Sequence, residues 1–127
     1  MKIPALIGNP QGMSIWTEVD IPMIGGEKGR SMSDKLNAIG LSLATNQPNE
    51  DRPVGKITTG GPDMHVPRLI AVTSGHAELK VGTGETRRFG TGEFFFVYGK
   101  GGHIATAMKP WPRSTLSITM SGTGLLK

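Results

Sequence analysis

The sequence contains no cysteine. Disulfides, thiolate metal sites and a cysteine nucleophile are therefore excluded. Long hydrophobic runs are missing as well. No stretch approaches the ~20 apolar residues of a membrane span. The apolar pieces between Met1 and Pro10 are broken by Pro4, Gly8 and Pro10, unlike the continuous core of a signal peptide. The expectation is a cytoplasmic protein with no membrane partner. Clustered basic charge is absent too. Fourteen Lys and Arg against ten Asp and Glu leave a formal charge of +4, yet only Arg87 and Arg88 are adjacent. A nucleic-acid surface gathers its basic residues on one face with aromatics between them, and aromatics are only 6% of this chain. Nucleic acid is not an expected partner; a scattered basic surplus favours anionic small molecules. Internal repeats and helical periodicity are lacking.

What is present is punctuation. The 127 residues include 19 Gly and 9 Pro, which fits short strands joined by tight turns. Ser14 to Ile21 alternates, with Ile15, Thr17, Val19 and Ile21 on one side, and reads as a strand. Pro22 to Asp34 reads as a loop. Leu36 to Leu43 offers a second strand with Ile39, Leu41 and Leu43 facing one way, and Thr45 to Gly55 is a polar surface loop. Leu69 to Ser74 is a short apolar run. Ala77, Leu79 and Val81 then alternate with polar residues, and Gly82-Thr83-Gly84 and Gly90-Thr91-Gly92 are turns. Glu93 to Tyr98, His103 to Met108 and Ser114 to Met120 complete the series. Strands at this spacing indicate an all-β sandwich or barrel. The expected organisation is one domain, 1–127, in which an N-terminal region of about 1–55 wraps a barrel core at 56–122.

The stretch Val72 to His103, VTSGHAELKVGTGETRRFGTGEFFFVYGKGGH, resembles the central part of a small single-domain cupin, and GMSIWTEVDIPM resembles the opening strand of small cupins. In the second cupin motif, G-x5-P-x-G-x2-H, Gly92 brings Tyr98 to the Pro position, Lys100 to the Gly position and His103 to the histidine. In the first motif, G-x5-H-x-H-x3/4-E-x6-G, counting back from Gly75 puts Arg68 at the Glu ligand. Met64 or Asp63 falls at the second His and Pro62 or Gly61 at the first, with His65 one or two residues off register. The resemblance implies an all-β, cupin-like double-stranded β-helix (jelly-roll) barrel with a degenerate first metal motif.

The candidate site follows. His103 opens a strand whose inward positions would be His103, Ala105 and Ala107, so it is either an acid/base or a metal ligand. The cofactor expectation is either none or a single divalent ion, Fe, Mn, Zn or Ni, on His65 and His103 with help from Asp63. Arg68 in place of Glu would repel such an ion. Pointing inward, it needs a partner, either Asp63 or a substrate carboxylate or enolate held by its fork; a one-residue slip would instead leave it in solvent. Tyr98, in line with Phe94 and Phe96 at a strand end, could offer its hydroxyl. Met64, Asp63, Phe96, Met108 and Ile70 are expected to line the ligand. His76, with Glu78 and Lys80, is expected to face solvent.

The function this implies is a small-molecule enzyme of lyase, isomerase or cyclase type, with His103, Arg68 and Tyr98 as catalytic residues and no obligatory metal. The alternatives are a non-catalytic small-molecule-binding cupin and a metal-dependent dioxygenase or decarboxylase. A homodimer is expected, since pairing edge strands would cover the barrel's exposed edges.

Overall fold

The computed structural model describes residues 1–8, 14–34, 36–46, 56–58, 67–81, 83–98, 104–108 and 113–121; for 14, 46, 56–58 and 104–108 it describes the backbone alone. Among these residues the chain is all β, and no helix is long and apolar enough to cross a membrane. The strands are β1 (Lys2–Gly8), β2 (Ser14–Asp20), β3 (Met23–Gly25), β4 (Met32–Ser33), β5 (Ala38–Asn46), β6 (Lys56–Thr58), β7 (Arg68–Ser74), β8 (His76–Lys80), β9 (Thr86–Gly90), β10 (Phe94–Tyr98), β11 (Ile104–Met108) and β12 (Arg113–Met120). A six-stranded sheet in the order β2-β1-β10-β7-β12-β5 faces a four-stranded sheet in the order β6-β11-β8-β9. Together they form the double-stranded β-helix, or jelly-roll, arrangement.

Period-two alternation decides which side chains meet between the sheets. From the six-stranded sheet come Leu6, Trp16, Val72, Phe95 and Val97; from the other come Ala77, Leu79 and Phe89, all buried in one cluster. Phe89 stacks on Phe95 with ring centroids 4.4 Å apart, and Trp16 lies 5.4 Å from Phe89 and 6.0 Å edge-on to Phe95. This aromatic triangle joins the two sheets. A second cluster, Ile3, Ala5, Val19, Ile21 and Phe96, lies on the opposite face of the six-stranded sheet, with Ile7, Leu69, Phe94 and Tyr98 packed against it. Both aromatic rows of β10 are therefore covered, one on each side.

Two elements differ from the sequence expectation. Residues 2–8 carry Pro4, which argues against a central strand because proline lacks the ladder donor. They nevertheless form β1, between β2 and β10. The pairing explains how: β2 accompanies β1 along its whole length, whereas β10 runs parallel to it only from Ala5 to Ile7, past the proline. The stretch read as a loop at Pro22 to Asp34 contains a short exposed hairpin, β3 with β4.

The turn from β9 to β10 is bound on three sides. Gly92 has φ +87°, a left-handed conformation that favours glycine. Its N–H donates to the Val72 carbonyl at 2.8 Å, and the Val72 N–H donates to the Glu93 carbonyl at 2.9 Å. The Glu93 carboxylate accepts from the Gly90 N–H at 2.9 Å. That closure sets β10 beside β7 in the register Phe95 opposite Ile70 and Val97 opposite Arg68.

Truncating the sheet junction is expected to be costly. Phe95→Ala should lower the unfolding free energy in urea by about 3–5 kcal/mol. A loss below about 1 kcal/mol would mean that the aromatic triangle does not join the sheets.

Candidate site on the interior face

Residues directly opposite one another in an antiparallel ladder share a face, so the register identifies the interior wall. Arg68 is paired with Val97 of β10 and with Thr119 of β12. Val97 is level with Leu6 across the parallel pair, and Leu6 is opposite Trp16. One interior row therefore runs Thr119, Arg68, Val97, Leu6, Trp16 over five strands. The next runs Ser117, Ile70, Phe95, and the one after pairs Thr115 with Val72.

Burial changes along these rows. Trp16, Leu6 and Val97 belong to the sealed cluster between the sheets, whereas Arg68, Thr119, Ser117 and Thr115 are half-buried and outside it. The apolar filling ends at Ile70 and Val72, and beyond it the wall is made of hydroxyls and a guanidinium. Alternation on β12 produces this: Thr115, Ser117 and Thr119 turn inward, while Leu116 and Ile118 turn outward beside Leu43 and Leu41 of β5.

Two half-buried arginines share the interior face by ladder register, Arg68 and Arg87, and a third, Arg113, lies on β12 beyond the register shift at Ser114 and Thr115. Arg87 sits over the Trp16 ring, its guanidinium carbon 5.3 Å from the centroid, and donates from Nε to Glu85 Oε1 at 3.2 Å. Arg68 is engaged within the protein. Arg113 lies toward the far end of β12, and burial pulls its guanidinium below the ordinary value. Its NH1 is buried without a hydrogen-bond partner among the described residues, as is the indole Nε1–H of Trp16. Each such orphan donor costs about 1–3 kcal/mol until an acceptor reaches it. The half-buried charges near this wall are thus guanidiniums, one of them, Arg87, ion-paired with Glu85.

Of the residues expected at the site, Arg68 and Ile70 are on the interior face. Phe96 and Tyr98 are not: they lie on the opposite face with Ala5 and Leu69. From β10 the interior receives Phe95 and Val97 instead. The physical reason is that both faces of β10 are apolar, so composition alone does not tell which row turns in. Met108 is paired with Glu78, one step out of register with the Leu79–Ala107 pair whose Leu79 is in the core. His76, expected in solvent, is half-buried and engaged. His65, His103, Asp63 and Met64 lie outside the described residues. Sequence reading missed Thr115, Ser117, Thr119, Trp16, Arg87 and Arg113. The hydroxyl alternation Thr115-x-Ser117-x-Thr119 was a visible signal, ordinarily read as a solvent face.

For a divalent metal, the described residues supply no group of three or more His, Asp or Glu that could hold one. Arg68 stands on this wall, and the residues expected to hold a metal, His65, His103 and Asp63, lie outside the described residues.

No family model matches this chain, and no curated protein does. Among solved structures, the EutQ protein of Clostridium difficile aligns over 64% of this chain at 16% identity with a TM-score of 0.47, and the match spans 55% of that longer protein. A Klebsiella pneumoniae protein with a double-stranded β-helix domain aligns over 80% of this chain and 85% of its own at 20% identity, TM-score 0.45. A Salmonella typhimurium protein named as ethanolamine utilization protein Q aligns over 97% and 98% at 13% identity, TM-score 0.44. At these scores the fold stands on this chain's own strand order rather than on the likeness.

The NH1 of half-buried Arg113, without a partner among the described residues, gives a direct test. Replacing a partly desolvated charge by an apolar chain of similar length is often neutral or stabilising. Arg113→Met should therefore leave the urea midpoint unchanged or raise it; a loss above about 1 kcal/mol would show that Arg113 is paired.

Proposed function

We propose that the interior of this barrel binds a small organic anion, a carboxylate or enolate, with Arg68 as its counter-charge. The observation that carries this reading is the interior row in which Arg68 stands beside Thr119, where the apolar filling ends. A guanidinium fork matches a carboxylate bidentately, and the hydroxyls of Thr119 and Ser117 extend the donor set. No metal is assigned to this reading, because Arg68 would repel a divalent cation beside it.

Turnover requires an acid or base beside the anion, and His103 is the residue we assign to that role. β10 ends level with Arg68, and His103 follows Tyr98 by five positions in the chain. With His103 the site would run proton-transfer chemistry of the lyase, isomerase or cyclase kind, with Arg68 stabilising the developing negative charge. Without it the site is a binder.

The test is calorimetric titration of chelator-treated protein with a panel of small mono- and dicarboxylates, with metal content measured before and after chelation. Arg68→Gln should weaken binding by about 10- to 100-fold, the range expected for losing a charged hydrogen bond, and Arg68→Lys should restore only part of it. Unchanged affinity in Arg68→Gln would overturn the reading. So would stoichiometric Fe, Mn, Zn or Ni whose removal abolishes binding. His103→Ala separates the two forms of the proposal: lost turnover with retained binding identifies an enzyme, and turnover of no panel member by either protein identifies a binder.

A further inference from the structure

Beyond Arg68, Ile70 and Val72 of β7, the interior wall changes in size as well as in polarity. The next two strands turn no side chain larger than threonine inward. Thr119, Ser117 and Thr115 come from β12, and Gly40, Ser42 and Ala44 stand opposite them, in that order, on β5. A Cβ added at Gly40 would meet only Thr119 among the described residues, 3.8 Å from its Cβ and 3.9 Å from its Oγ1. There is open space over this pair. Burial falls off in the same direction, from half-buried on β12 to exposed on both faces of β5. The interior is thus plugged by Trp16 and Phe89 at one edge and open over small residues at the other.

Hydroxyls on a partly desolvated wall cost stability unless they are hydrogen-bonded. Among the described residues no hydrogen bond engages Thr115, Ser117 or Thr119, and none of these hydroxyls is sealed from solvent. An alkyl chain would be better held by the aliphatic residues of β12, yet alternation turns Leu116 and Ile118 to the other face. A hydroxyl both donates and accepts, whereas a guanidinium only donates. The row is therefore matched by a ligand that carries hydroxyls as well as negative charge. Successive inward residues on β12 are about 6.8 Å apart along the strand, and Ser42 stands about 5 Å to the side of Ser117. Those are the dimensions of a short polyol chain.

We propose that the anion of this site is a polyhydroxylated carboxylate of the sugar-acid class, with its carboxylate on Arg68 and its carbon chain lying along β12. Its hydroxyls meet Thr119, Ser117 and Ser42. The inference rests on the anion reading of the interior and adds the chemistry of the tail. Arg68 accepts any carboxylate; the hydroxyl row discriminates, because an acid without hydroxyls leaves those groups facing hydrocarbon.

Calorimetric titration of the full chain with matched pairs tests this: gluconate against hexanoate, and threonate against butanoate. Charge and carbon count are equal within a pair, so only the hydroxyls differ. The wild type should bind the hydroxylated member at least about 10-fold more tightly, the effect of a few net hydrogen bonds. Thr119→Val/Ser117→Ala removes little but the hydroxyls and should erase that preference, with an unchanged far-ultraviolet circular dichroism spectrum. Should the double variant lose its strand spectrum, Gly40→Val on the exposed strand replaces it. Filling the space beside Thr119 should weaken gluconate about 10-fold. Equal affinity within both pairs, weakened alike by Arg68→Gln, overturns this inference and leaves the anion reading standing. Binding of no acid, or binding indifferent to Arg68→Gln, overturns the anion reading and this inference with it. A preference that survives in a folded double variant, or gluconate affinity unaltered by Gly40→Val, overturns the assignment to the β12 row.

Discussion

Everything in this fold depends on the aromatic contact between Trp16, Phe89 and Phe95, where the two sheets meet. It fixes which face of the six-stranded sheet is interior, and strand alternation then carries that decision outward to every other residue. Because Phe95 turns in, Val97 turns in; because Val97 turns in, Arg68, its ladder partner, shares the face. Arg68 joins Ile70 and Val72, and Thr119, Ser117 and Thr115 follow from the next ladder. A one-residue slip anywhere in β10 or β7 would exchange the two faces, taking the guanidinium to the outside and the leucines of β12 to the inside. The hydrogen bonds at Gly92, Val72 and Glu93 hold that register at the turn.

The same alternation yields a molecule with two unlike halves. Around β1, β2 and β10 both faces of the sheet are sealed, one by the four-stranded sheet and the other by the second cluster. Around β7, β12 and β5 neither face is sealed: hydroxyls and arginine look inward, aliphatic side chains look outward. Polar side chains are tolerated inside because that part of the wall is only half-buried, and aliphatic ones are presented outside on a sheet whose edge carries no charge.

Much of this was legible in the sequence. Alternation located β2 and β8 and assigned the inward positions of β8, and glycine punctuation located the strands from β7 to β12 to within a residue or two. It left β1 unassigned, since Pro4 interrupts its apolar run and one neighbouring strand lies some ninety residues away. It did not resolve the facing of β10, whose two sides are equally apolar: Phe96 and Tyr98, expected inside, share the outer face with Ala5 and Leu69. The hydroxyl row of β12 was passed over because polar residues on a half-buried strand ordinarily face water, and only the neighbouring ladder shows otherwise. Arg68 was found by counting back from Gly75 along a motif, which hydropathy alone does not supply.

The parallel pairing of β1 with β10 has a consequence in time as well as in space. Ala5, Leu6 and Ile7 are synthesised some ninety residues before their partners on one side, Phe96 to Tyr98. Until those emerge, β1 has only β2 to pair with, and a lone hairpin is at best marginally stable in water. The core around Leu6 therefore closes only after a long loop has been brought together, and the sheet's other strand pairs are mostly non-local as well. Such topologies fold slowly. In the interval Leu6 and Trp16 stand exposed, and the nascent chain is open to aggregation until β10 has emerged.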